Sequence, residues 1–166
     1  MNKNIEIERK FLVNDESYKG FASSVHKIAQ GYLSDSKNTT VRIRILDDKA
    51  FLTVKGLTTG ITRKEYEYQI PIEDAEEMLK MCGGKIIEKY RYIVKKDGMI
   101  WEIDEFKGML EGLVIAEIEL QSEGSEYTKP SFIGLEVSGD PVYYNSNLIN
   151  LKYEDLRNYK GIKNNI

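Results

Sequence analysis

Six short stretches of this chain each carry two side chains of like charge two residues apart. They are Glu6/Glu8, Arg42/Arg44, Glu65/Glu67, Lys89/Arg91, Glu102/Asp104 and Glu117/Glu119. Apolar residues fill the alternate positions: Ile7, Val41, Ile43, Tyr66, Tyr68, Tyr90, Trp101, Ile103, Ala116 and Ile118. In an extended strand successive side chains point to opposite faces, so each charged pair shares one face and the apolar residues share the other. A half-solvated antiparallel sheet alternates in the same way, but its wet face mixes Ser, Thr, Gln, Lys and Glu. Here whole strands have a single sign. Like charges on one face repel, so side chains of opposite sign on other strands, or ligands, must neutralise them.

The same period of two extends over seven segments, with apolar positions at 5/7/11, 41/43/45, 52/54, 66/68/70, 90/92/94, 101/103 and 116/118/120. An eighth, Gln30-Gly31-Tyr32-Leu33, is shorter. Helical signals are fewer. Residues 71–83 begin at Pro71, place Glu73 and Asp74 in the first turn and stop at Gly83, which predicts a helix. Tyr18, Phe21, Val25 and Ile28 have helical spacing and predict a second helix over 15–29. Asn145 offers an N-cap before Leu148, Ile149 and Leu151, and a last short helix is expected over 153–160. Helices packed outside such a sheet would cover its apolar face, and the charged face would then line the interior. The expectation is an inside-out barrel within a single domain, 1–166, since no repeat, low-complexity run or linker divides the chain.

The presumed interior holds six cations (Lys10, Arg42, Arg44, Lys55, Lys89, Arg91) against eight anions (Glu6, Glu8, Glu65, Glu67, Glu102, Asp104, Glu117, Glu119). Enclosing unpaired charge costs several kcal/mol per ion. Hard divalent cations would offset the carboxylates, and hard oxygen ligands favour Mg²⁺ or Mn²⁺ over zinc, for which Cys82 and His26, each alone, offer no cluster. Arg and Lys are the usual partners of phosphate oxygens. Acids and bases in one enclosed space therefore point to metal-assisted phosphoryl chemistry. Other classes recede. The chain has no phosphate-binding Gly-rich loop, no His-rich zinc motif and no apolar run of membrane-spanning length. A net charge of −3 argues against nucleic acid, and Cys82 permits no internal disulfide. Without an apolar signal core near Met1, a cytoplasmic location is the expectation.

Glu6-Ile7-Glu8-Arg9-Lys10 resembles the opening ExExK signature of the CYTH superfamily, the triphosphate tunnel metalloenzymes. Further blocks agree in order and kind, among them 30–33, 41–44, 52–56, 63–67, 89–91, 101–104, 116–119 and 137–140. The likeness covers about residues 5–150, and Tyr144-Asn145-Ser146-Asn147-Leu148 is similar to the small bacterial members. It implies an α+β, mainly β fold: an eight-stranded antiparallel β-barrel tunnel with charged lumen, helices packed on the outside and a C-terminal helix. The implied activity is divalent-metal-dependent hydrolysis of inorganic triphosphate. Class IV adenylate cyclase, nucleoside or thiamine triphosphatase, and a non-catalytic polyphosphate- or nucleotide-binding module stay open.

Carried over by position, the resemblance makes Glu6, Glu8, Glu117 and Glu119 metal ligands, with Asp104 and Glu102 additional or supporting. Lys10, Arg42, Arg44, Lys55, Lys89 and Arg91 hold phosphoryl groups, and Lys10, Tyr32, Lys55 and Lys89 are the catalytic candidates. Glu65 and Glu67 either help a second metal orient water or pair with neighbouring cations. Tyr32 either handles the water's proton, bonds a phosphate or simply fills a strand position. Tyr66, Tyr68, Tyr90, Tyr92 and Trp101 are expected under the outer helices, Arg63 at the surface in preference to the tunnel mouth, and His26 on a helix. The C-terminal stretch from Lys152 either plugs one tunnel end, mediates a homodimer or frays. The expected partner is inorganic triphosphate or another triphosphate-bearing small molecule, with no membrane involved.

Overall fold

A computed structural model describes residues 4–36 and 38–157. Nine strands run in chain order: β1 (Ile5–Val13), β2 (Ala22–Asp35), β3 (Thr39–Leu46), β4 (Lys49–Gly56), β5 (Thr62–Ile70), β6 (Ile86–Lys96), β7 (Met99–Phe106), β8 (Val114–Glu119) and β9 (Ile133–Glu136). Three helices accompany them: α1 (Ile72–Met81), α2 (Asn145–Leu148) and α3 (Tyr153–Arg157). The strands neighbour one another in the order β5-β4-β3-β2-β6-β7-β8-β1, and a β5–β1 pairing closes the ring. This is the expected eight-stranded antiparallel barrel. The ninth strand was not foreseen. Ile5–Ile7 of β1 pair with β5, whereas Phe11 and Val13, farther along the same edge, pair with β9.

Local chemistry sets the hairpins. Between β6 and β7, Asp97 and Gly98 take φ of 51° and 76°, the left-handed pair that a two-residue turn needs to match strand twist. Asp47 does the same between β3 and β4 with φ 51°, and it also accepts a bond from Lys27 N at 2.8 Å. At Gly31 the chain runs so close to α1 that an added Cβ would lie 2.8 Å from Cys82 Sγ.

Residues 15–29 do not form a helix. A 3₁₀ turn (Glu16–Phe21) buries Tyr18, and the chain then runs straight into β2, a strand of 14 residues. The spacing that suggested a helix is misleading because Phe21 and Val25 are 53% and 49% exposed, so no apolar helix face exists. Pairing with β6 from Ala22 to Gly31 satisfies the backbone instead. His26 therefore sits on a strand, with Nδ1 2.7 Å from Asp47 and Nε2 2.9 Å from Ser24.

The barrel's outside is only partly under helices. α1 covers Ile43 and Ala50 through Ala75, with Ile45 and Leu52 beside them. A second patch, centred on Phe11, Trp101, Ile103, Ala116 and Ile118, is covered by Tyr18 and by the stretch carrying Tyr127 and Phe132. Its rings meet edge-on, Phe11 and Trp101 at 5.6 Å and Tyr18 and Tyr92 at 5.3 Å. Trp101 is fully buried, as expected, but Tyr66, Tyr68 and Tyr90 are 37%, 59% and 39% exposed, so the outer cover does not extend over them.

Leu12, Phe106, Ile115 and Ile87 share their strand faces with Lys10, Asp104, Glu117 and Lys89, so they point inward. They gather with Leu110, Leu113 and Val137 and are covered by Tyr143, Leu148 and Leu156 from the C-terminal segment. One end of the barrel is thus stoppered by apolar packing, and the charges occupy the remainder. Of the alternatives open for the C-terminal stretch, the described part takes the plug. Residues 158–166, including the Tyr159 assigned to the last helix, lie outside the described residues.

Candidate functional site

A cavity of about 1240 Å³ fills the charged part of the barrel. Its wall takes Glu6, Glu8 and Lys10 from β1, Tyr32 from β2, Arg42 and Arg44 from β3, and Lys55 from β4. Arg63, Glu65 and Glu67 come from β5, Arg91 from β6, Glu102 from β7, and Glu117 and Glu119 from β8. Tyr144, Asn145 and Ser146, at the start of α2, also line it, so the plug contributes part of the lining. Most predicted residues therefore converge, because strand alternation sends every second side chain inward.

Nearly every cation is already paired. Lys10 bonds Glu117 and lies 2.6 Å from Glu8. Burial opposes its charge, but Glu117 and Glu8 outweigh that and hold its pKa above the usual lysine value. Lys55 sits between Glu65 at 2.7 Å and Glu6 at 3.0 Å. Arg91 holds Asp104 through Nε and Nη2, both at 2.6 Å, reaches Glu117 at 2.8 Å, and also pairs with Glu102. Glu67 accepts from Arg44 Nη2 at 3.0 Å and Thr53 Oγ1 at 2.8 Å. Arg42 Nη2 donates to Thr53 at 3.1 Å and to Glu67 at 3.2 Å. Glu65 and Glu67 thus pair with neighbouring cations.

Two predicted residues do not reach the cavity wall. Lys89 and Asp104 bond each other with side chains only 1% exposed, one layer beneath it. Their strand positions lie level with the apolar plug: Lys89 faces Phe106 in the ladder, and its Nζ is 5.3 Å from that ring. Burial draws the Lys89 pKa down to about 8 against the pull of Asp104. Asp104, committed to Arg91 and Lys89, is kept ionised below the usual aspartate range despite its burial.

Three site residues escaped the sequence reading. Arg63, for which the surface was preferred over the tunnel mouth, lines the cavity and bonds Glu6. It shares its strand face with Glu65 and Glu67, so extending that alternation by two residues finds it. Thr53 and Gln30 are buried on the faces of Lys55 and Tyr32, respectively. Being uncharged, they give no charge signal. Tyr32 Oη accepts from Gln30 Nε2 at 3.1 Å.

Glu8 and Glu119 lie directly opposite each other on β1 and β8, an unfavourable like-charge pair. Burial, followed by the charges of Glu6, Glu65, Glu8 and Glu102, raises the pKa of Glu119. Glu119 has no ion pair among the described residues. Glu119, a hard oxygen donor facing Glu8 and without a cation of its own, fits a divalent cation. No ready-made group of three ligands exists among the described residues, because the cations hold the other carboxylates apart.

Closed antiparallel barrel, stoppered at one end and lined with interleaved acids and bases: this arrangement defines a charged-lumen β-tunnel protein. More particularly, the chain belongs to the CYTH domain family, whose model matches residues 4–144. It is 50% identical over 153 residues to a protein of Acetivibrio thermocellus named inorganic triphosphatase, across 92% of this chain and 97% of that one. A second protein of that name, from Nitrosomonas europaea, is 35% identical over 147 residues, covering 86% and 95% of the two chains. Among solved structures, the inorganic triphosphatase NE1496 superposes with a TM-score of 0.62 at 33% identity, over 87% of this chain and 93% of that one. No helix is long and apolar enough to cross a membrane among the described residues.

Proposed function

We propose that this chain hydrolyses inorganic triphosphate to pyrophosphate and phosphate inside the cavity, with Mg²⁺ or Mn²⁺ as cofactor. The observation that carries the reading is the cavity wall itself, where six Lys and Arg side chains interleave with carboxylates, of which Glu119 has no ion pair among the described residues. The two relatives named inorganic triphosphatase support the choice of substrate. Glu6, Glu8, Glu117 and Glu119 would hold the metal. Bound there, it would supply Lewis-acid polarisation of the phosphoryl oxygens and neutralise charge on the triphosphate.

Lys10, Arg42, Arg44, Lys55, Arg63 and Arg91 hold the phosphoryl oxygens and stabilise charge on the departing pyrophosphate. Water adds to a terminal phosphorus as the bridging P–O bond breaks, and the water's proton leaves for an acceptor. Burial lowers the Lys89 pKa to about 8, which suits a proton acceptor near neutral pH, but its amine lies one layer beneath the cavity wall on Asp104, so the proton would reach it indirectly. Asp104 keeps its place through a different duty, fixing the guanidinium of Arg91 rather than coordinating metal.

Phosphate release from inorganic triphosphate, measured with and without Mg²⁺ or Mn²⁺, tests the proposal. Turnover with the cation and none without it is expected; inactivity under both conditions overturns it. Conversion of ATP to cyclic AMP would favour the cyclase reading. Tight triphosphate binding without turnover under every metal would favour a binding module.

A further inference from the structure

The cavity contains a hydroxyl whose proton is not taken up by the protein. Tyr32 lines the wall, and its Oη accepts the Gln30 amide at 3.1 Å. Among the described residues nothing accepts the phenol's own proton. The charges that most offset the burial of the phenol are those of Arg42, Arg63 and Lys10, cations able to draw in phosphate. Burial outweighs them and pushes the Tyr32 pKa up to about 12, so at neutral pH the group is a donor and not a base.

Gln30 is 1% exposed and follows the same strand alternation as Tyr32, two residues away on β2. Its Oε1 is buried without a partner among the described residues, and there its amide's hydrogen bond goes to Tyr32. A buried amide kept half-satisfied is costly, and it needs a reason. An oxygen that accepts along one lone pair directs its own hydrogen elsewhere. For Tyr32 the direction left is the cavity.

We propose that Gln30 is a positioning residue: by donating to Tyr32 Oη, it turns the phenol proton toward the cavity to bond a phosphoryl oxygen of bound triphosphate. This rests on reading the cavity as a triphosphate site. Tyr32 is then a substrate-contacting donor, and Gln30 acts only through it.

The test is a double-mutant cycle on the full chain, with Gln30→Met, Tyr32→Phe and the combined variant. Binding of imidotriphosphate, a hydrolysis-resistant probe, is measured by calorimetry with Mg²⁺, and wild-type turnover of inorganic triphosphate is measured separately. Tyr32→Phe should weaken binding about tenfold, as for one lost bond to a charged group. Gln30→Met should weaken it roughly threefold to fivefold, and should add nothing in the Tyr32→Phe background. An equal effect in both backgrounds overturns the proposal, since a merely structural role would persist without the hydroxyl. Gln30→Glu, of unchanged size, repeats the cycle if the Met variant fails to fold. Its carboxylate would accept the phenol proton, and the Tyr32→Phe background subtracts its charge. If wild type binds the probe but does not turn over triphosphate, the hydrolase reading fails while the Gln30–Tyr32 coupling can still be read.

Discussion

Lys10 shows how much a single site residue does in this barrel. Its ammonium pairs with Glu8 and Glu117, and removing it would take the paired lysine from Glu8 and leave buried Glu117 with Arg91 alone. Breaking such a pair costs about 3–5 kcal/mol. Lys10→Ala should therefore lower the melting temperature markedly as well as cut kcat by on the order of 10²-fold. Urea unfolding, read alongside phosphate release, checks both. Lys89 makes a different case. A base must be unprotonated to accept a proton, so a reaction relying on Lys89 speeds up as pH rises through about 8. Lys89→Arg keeps a cation on Asp104 but cannot release its proton. The variant should lose the rise of kcat/KM between about pH 7 and 9; an unchanged profile would leave Lys89 a structural ion. At this scale the charged residues were legible because alternation assigns each a face. Arg63 sits at the end of its strand's alternation, two residues before Glu65, and Thr53 and Gln30 are uncharged and add nothing to a charge pattern.

The C-terminal elements divide the barrel's interior. Leu148 and Leu156 are 0% and 1% exposed, packed with inward-facing residues of β1, β6, β7 and β8. α2 and α3 are too short to be stable alone, so burial and not propensity holds them. Leu156→Ala should cost about 2–5 kcal/mol through the cavity it leaves. Because Leu156 does not line the charged cavity, KM for triphosphate should stay near wild type below the melting transition. A KM raised as much as stability falls would show that the plug also shapes the binding wall. The sequence suggested helices here but left their place open. It also predicted a helix over 15–29 where β2 runs, since apolar spacing of three and four cannot reveal that β6 offers nine ladder partners.

The whole molecule behaves as an interlock of charges. Glu6 engages both Lys55 and Arg63, and Glu117 engages Lys10 and Arg91, so the groups suited to metal and to phosphate hold each other. A cation that takes the carboxylates frees Lys and Arg for phosphoryl oxygens. Mg²⁺ should therefore tighten imidotriphosphate binding by at least about tenfold, and the probe should tighten Mg²⁺ binding by the same factor. Calorimetric titrations in both orders, corrected for the complex formed in solution, measure this; independent affinities would refute the interlock. By itself the sequence determined the barrel's inside-out character, the identity of most charged lining residues and the phosphoryl chemistry they suit, since a period of two fixes which face each side chain takes. Tertiary structure alone decided the ninth strand, the apolar stopper, the recess holding Lys89 and Asp104, and the pairing of each acid with its base. Those depend on which strands become neighbours and at what depth along the barrel, quantities that no local spacing encodes.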